Sequence, residues 1–143
     1  MRDPELYASS NHQSIFEEGK NGNHEAKATL IDFEPSVIDE VAKSSTGPLF
    51  SPGNLLKSGE DSSDIYTRGY HLLGGEQLIP AMDSIRLLAE KSDRVEGFII
   101  THSAGGGTGS GFSSRILETL DQDFSQAIRI PVTVFPSGSS GPL

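Results

Sequence analysis

Five glycines fall within the seven residues Gly105–Gly111, GGGTGSG, between the apolar run VEGFII and the amphipathic run FSSRILETL. Few architectures place such a segment between two ordered elements. A flexible linker has this composition but seldom joins a buried strand to a helix. A phosphate-binding turn does, because glycine reaches positive φ and leaves backbone N–H groups unobstructed. The helix that follows adds unpaired N–H groups and the positive end of its dipole. Thr108 and Ser110 supply hydroxyl donors within the loop, and Ser103 supplies one just before it. The reading preferred on these grounds is phosphate binding. The loop has neither the Gly-Lys-Ser/Thr of a P-loop nor the spacing of a dinucleotide fingerprint, whose third glycine would stand where Ser110 does.

The flanking sequence supplies the elements around this turn. Ala26–Phe33 reads as a short strand ending on Asp32 and Glu34. EPSVIDEVA follows as a helix of about two turns, with Ser36 and Asp39 in capping-box spacing. Residues 44–59 read as an irregular connection rich in proline and glycine. Asp61–Tyr70 reads as a helix capped by Asp61, and Gly74-Gly75 interrupts it. A helical stripe runs from Leu78 to Ala89, ending near Ser92, with Pro80 tolerable only in its first turn. Val95–Thr101 is nearly all apolar and is expected to be buried on both faces, as in a parallel sheet. Phe112, Ile116, Leu120 and Phe124 mark one helix face. Ile128–Phe135 is a strand that Pro131 moves towards an edge or a bulge. Alternating strands and helices predict an α/β layer with right-handed crossovers, and ligands of such sheets bind at the strands' carboxyl ends. Asp32, Glu34 and the glycine loop all lie at such ends.

Composition narrows the function. The net charge of −9 argues against a nucleic-acid partner, which requires clustered Lys and Arg. The absence of cysteine excludes disulfides and thiolate metal sites. No apolar run approaches the roughly 18 residues of a membrane span, so no membrane partner is expected. His12, His24 and His71 lack metal spacing. His102 has no visible nucleophile–base set and reads as a packing or hydrogen-bonding residue. Asp32 and Glu34 alone are equally compatible with solvated loop charges.

The stretch GGGTGSG resembles the signature loop of the tubulin/FtsZ superfamily. LIDFEPSVIDEV (30–41), EDSSDIYTRGYHLLGGE (60–76), VEGFIITHSAGGGTGSGF (95–112) and VFPSG (134–138) are similar, in order and spacing, to segments of alpha-like tubulins; the likeness covers roughly residues 15–143. The resemblance implies a partial Rossmann-like nucleotide-binding domain, three-layer α/β/α with a mostly parallel sheet and the first strand missing. Residues 1–26 would be a flexible polar segment and 27–143 the partial GTP-binding domain, of an internal fragment or truncated chain. GTP and Mg²⁺ are the implied cofactors. The implied nucleotide contacts are Ser103, Gly106, Gly107, Thr108 and Gly109, with Asp61, Ser62 and Ser63 near the γ-phosphate. Glu34 is the implied metal-associated acid, with Asp32 its neighbour. Asp64 stands where the family usually has Asn, a repulsive choice near a triphosphate unless a metal intervenes. Pro142 replaces a common Thr. Implied partners are other tubulin subunits, in the heterodimer and the microtubule lattice, and the implied location is the cytoplasmic cytoskeleton. Two other readings stay open: a non-catalytic tubulin remnant acting as a binding or regulatory module or without function, and an unrelated α/β phosphate binder.

Overall fold

The computed structural model describes residues 14–19, 22–59 and 65–136. The first ordered unit is a hairpin, β1 (Phe16–Glu18) against β2 (His24–Ala26), antiparallel, with Phe16 opposite Ala26. The sequence reading had placed these residues in a polar segment. Gly22, at φ +75, makes the reversal possible. The strand expected over Ala26–Phe33 is divided: β2 ends at Ala26, and β3 occupies Leu30–Asp32.

Pro35 then opens α1 (Pro35–Lys43). Its fixed φ and missing N–H suit the first turn of a helix. The Ser36 cap expected from the sequence does not form. Glu34 is the N-cap residue, and the Ser36 hydroxyl donates to its carboxylate, Oγ to Oε1 2.6 Å. The connection expected over 44–59 contains a strand, β4 (Leu55–Lys57), parallel to β3 and pairing Leu30 with Leu55. Its three residues carry too few alternations to stand out among the prolines and glycines, so only its pairing defines it. An ion pair between Lys57 and Asp39, 2.5 Å, ties β4 to α1.

The next helix starts well before its apolar stripe. A π-helical turn, Arg68–Leu72, runs directly into α2 (Leu73–Glu90), and Gly74-Gly75 do not break it. Pro80 consequently sits inside the helix. It forfeits the bond to the carbonyl four residues earlier, a local cost that lies beside the burial of Ala81 and Met82, at 0 % and 1 % exposure. Gly69 marks where this π-helical turn meets the glycine loop: a Cβ there would overlap the Gly107 carbonyl.

β5 (Gly97–Ser103) and β6 (Ile128–Val134) form a parallel pair, Gly97 opposite Ile128 through Ser103 opposite Val134, joined through α3 (Ser113–Asp123). Pro131 lies within β6, opposite Ile100. Among the described residues β6 pairs with β5 alone, and an edge strand accommodates the missing N–H. The core is Phe33, Ala81, Met82, Phe112, Ile116 and Leu120, with Phe98, Ile100 and Phe124 packed against it. Thus α2 and α3 close over the end of β3 and one face of β5, and the Phe112/Ile116/Leu120/Phe124 stripe is the packing face. The Arg86 guanidinium bridges the two helices by donating to Asp123, 2.6 Å.

A further expectation is overturned. β5 is not buried on both faces: exposure alternates along it, and Ile99 is 73 % exposed. Ile128, Ile130, Val132 and Val134 of β6 are exposed as well. The described strands form three separate two-stranded pairs, antiparallel for β1–β2 and parallel for the other two. No helix of the described residues is long and apolar enough to cross a membrane.

Candidate functional site

The carboxyl ends of β3 and β5 meet through one side chain. Thr108, in the glycine loop after β5, donates its hydroxyl to Asp32 Oδ1, 3.1 Å, at the end of β3. The same Thr108 oxygen accepts from the Phe33 backbone N–H at 3.5 Å. Asp32 Oδ1 also receives the Glu34 N–H, 3.2 Å. Residues 76 positions apart are thereby held together. Phe33, 1 % exposed, anchors the junction by packing its ring on Phe112, centroids 5.0 Å apart.

The loop is a shaped turn. Ser103 Oγ donates to the Gly105 carbonyl at 2.6 Å, closing its entry. Gly106 follows at φ +79, ψ 171, a conformation that a side chain would strain. Gly107–Phe112 then coil as a π-helical turn leading into α3, where the Ser110 hydroxyl bonds back to the Gly106 carbonyl. The leading N–H groups of this coil have no preceding turn to donate to, which is the condition for holding an anion. His102, immediately upstream, bonds through Nδ1 to the Gly109 carbonyl, 2.8 Å, and sits 3.0 Å from Thr133 Oγ1 through Nε2.

A cleft of about 360 Å³ opens beside the loop, lined by Ser103, Gly105, Gly106, Val134, Phe135 and Pro136 at the carboxyl ends of β5 and β6. Behind the loop, Tyr70 donates its hydroxyl to Glu118 at 2.5 Å, and that bond raises the phenol's pKa above its ordinary value. Arg115 lies over the Tyr70 ring, 5.5 Å from its centroid.

The structure therefore gathers Asp32, Glu34, Ser103, Gly106, Gly107, Thr108 and Gly109 into two adjoining turns. Asp61, Ser62, Ser63 and Asp64 lie outside the described residues, as does Pro142. Thr108 was expected to offer its hydroxyl to a phosphate; here that proton is engaged by Asp32. Asp32 and Glu34 form no group of three or more metal-capable side chains among the described residues. Two elements of the site went unread in the sequence. Phe33 looked like one more strand residue, although an aromatic between two acids is itself a signal of a buried anchor. Gly69 was not singled out in the sequence, because an isolated glycine in a helical segment carries no signal of what lies against it; only the fold shows its close approach to the Gly107 carbonyl.

A strand ending in an acid, laid against a glycine-rich turn that opens a helix, is the geometry of a nucleotide-binding fold. The sequence model of the tubulin/FtsZ family, GTPase domain, matches residues 4–142. The chain belongs to the tubulin/FtsZ family. It is 38 % identical over 125 residues to a protein of Caenorhabditis elegans named tubulin alpha-8 chain. It is also 38 % identical over 124 residues to each of the tubulin alpha-2B and alpha-1B chains of Physarum polycephalum. Each alignment takes in 87 % of this chain and 28 % of the relative. This tubulin-family chain thus spans well under a third of the length of the curated relatives it matches. The mixed α/β fold with small parallel sheets agrees with part of a tubulin GTPase domain.

Proposed function

We propose that this chain is a partial tubulin nucleotide-binding domain that holds GTP with Mg²⁺, as part of a constituent of the microtubule cytoskeleton. The observation that carries the reading is the Thr108–Asp32 contact, which sets an acidic strand end against a glycine-rich turn of open amides. In this reading Gly106, Gly107, Thr108 and Gly109 hold the α- and β-phosphates, and Ser103 contacts the nucleotide. The resemblance assigns Asp61, Ser62 and Ser63, which lie outside the described residues, to γ-phosphate contact. The three-layer α/β/α arrangement with a mostly parallel sheet belongs to the same proposal. So do cytoplasmic location and association with other tubulin subunits in a heterodimer and lattice.

The residues fit the metal. Mg²⁺ takes one or two carboxylates and completes its octahedron with phosphate oxygens and water. Asp32 and the exposed Glu34, joined through the Glu34 N–H, supply two carboxylates at the end of β3. The bound ion would neutralise phosphate charge. Asp32 would orient the Thr108 hydroxyl, and Glu34 would accept from the ion's water shell.

GTP titration of the chain in Mg²⁺ tests the reading. Thr108→Ala is expected to weaken binding by about 1–3 kcal/mol, the cost of losing the hydroxyl tie to the Asp32 carboxylate that seats the loop. Equal affinities for the two proteins would remove Thr108 from the phosphate site. A second reading draws on the exposed apolar face of β5–β6: a non-catalytic module that buries this face on a tubulin subunit. Saturable binding to purified tubulin, indifferent to GTP, would favour it.

A further inference from the structure

We propose that His102 is a positioning residue for the glycine loop, acting as the neutral Nδ1–H tautomer. The inference rests on the loop being the phosphate site, and it assigns His102 a role within that site. Chemistry at Nδ1 decides the tautomer. Its two neighbours are the Gly109 carbonyl at 2.8 Å and the Ser103 carbonyl at 3.1 Å. A carbonyl oxygen only accepts, so Nδ1 carries the proton. Nε2 lies 3.0 Å from Thr133 Oγ1, a hydroxyl that can donate to it. The ring therefore links three parts of the fold: β5, which bears it; β6, which orients it through Thr133; and the loop, which it holds through Gly109.

The consequence follows from peptide planarity. In a trans peptide the C=O of one residue and the N–H of the next point in opposite directions. Holding the Gly109 carbonyl towards β5 turns the Ser110 N–H away from the sheet. That carbonyl lies in the π-helical turn Gly107–Phe112, and His102 adds to the turn a tie from outside it. Without His102 the Gly109–Ser110 plane loses its tie to β5, and the turn alone sets the direction of the Ser110 N–H. A side chain of β5 thus helps keep a loop donor in place, which is what preorganisation of an anion site requires.

Two measurements on the 143-residue chain test this. Long-range ¹H–¹⁵N correlation spectra of the imidazole read the tautomer directly, with no nucleotide present. The Nδ1–H form is expected, and an Nε2–H form would overturn the proposal. GTP affinity is then compared for His102→Phe, His102→Asn and Thr133→Val. Asn places an amide N–H close to the imidazole Nδ1 position and is expected to keep affinity within about threefold, whereas Phe loses about tenfold, one hydrogen bond's worth of positioning. Thr133→Val removes the contact that orients the ring but keeps the imidazole, and is expected to lose less affinity than His102→Phe. Wild-type affinity in His102→Phe, or equal losses in the Phe and Asn variants, would overturn the role. If the wild-type chain binds no GTP, the phosphate reading fails; the His102 contact is then decided by the tautomer and by whether Gly109 and Ser110 amide resonances shift in His102→Phe alone.

Discussion

Glu34 shows how much a single residue can be asked to do at the end of a strand. It ends the extended chain, receives the Ser36 hydroxyl, and gives its N–H to Asp32. It is exposed, so its charge costs little to maintain and remains available to an ion. Glu34→Ala is expected to remove the Mg²⁺ dependence of GTP binding while leaving residual metal-free affinity. Titrations with and without Mg²⁺ measure this, and an unaltered dependence would unseat the metal role. Asp32 is the more demanding position because it serves Thr108 and Glu34 at once. The acids and the loop hydroxyl were legible as candidates from residue type and position alone. Their contact was not, since nothing local indicates that residues 32 and 108 touch.

At the scale of elements, one exposed ion pair and one dry contact contribute to stability unequally. Lys57 of β4 donates to Asp39 of α1, and this bond, with further attraction from Lys43, holds the Asp39 carboxyl below its ordinary pKa. A lowered folded-state pKa stabilises the fold above the unfolded-state pKa of about 3.9. That contribution is lost as pH falls through the folded-state value. Asp39→Asn is therefore expected to flatten the acid limb of the stability–pH curve without adding a transition near neutrality; chemical denaturation at a series of pH values measures it. Both partners are partly exposed, so the tie is weak and salt-sensitive. The α2–α3 contact is stronger because it is dry. Leu120 is 1 % exposed within the core, and Leu120→Ala is expected to cost about 2–5 kcal/mol through lost burial and the cavity left behind. A drop in denaturation midpoint with an unchanged slope would confirm it. The α3 stripe was readable because four-residue periodicity reports a buried helix face. The start of α2 was not, because Gly74 and Gly75 weaken local helix propensity and the packing of the Gly69 turn on the loop outweighs them.

For the molecule as a whole, the outer face of β5–β6 dominates. Ile99, Ile128, Ile130, Val132 and Val134 are all more than two-fifths exposed, a contiguous apolar surface of the kind that marks interaction or association. The net charge of −9 opposes self-association but does not cover this face. Ile130→Ser is expected to keep the chain monomeric to higher concentration with little loss of folding stability, since Ile130 is already half in water. Sedimentation velocity over a concentration series measures the change. An unchanged association profile would show that self-association, if any, uses another surface.

The sequence by itself determined the α/β alternation, the glycine-rich turn between β5 and α3, the α3 packing face and membership of the tubulin/FtsZ family. These are local or pattern properties: glycine density, helical periodicity and a long motif are written in consecutive residues. Tertiary structure alone decided the pairing of β4 with β3, the one-sided burial of β5, the passage of a helix through two glycines, and the meeting of Asp32 with Thr108. Each depends on which distant surface a segment finds. An apolar run records that burial would be favourable, and only the packed chain shows which face receives a partner.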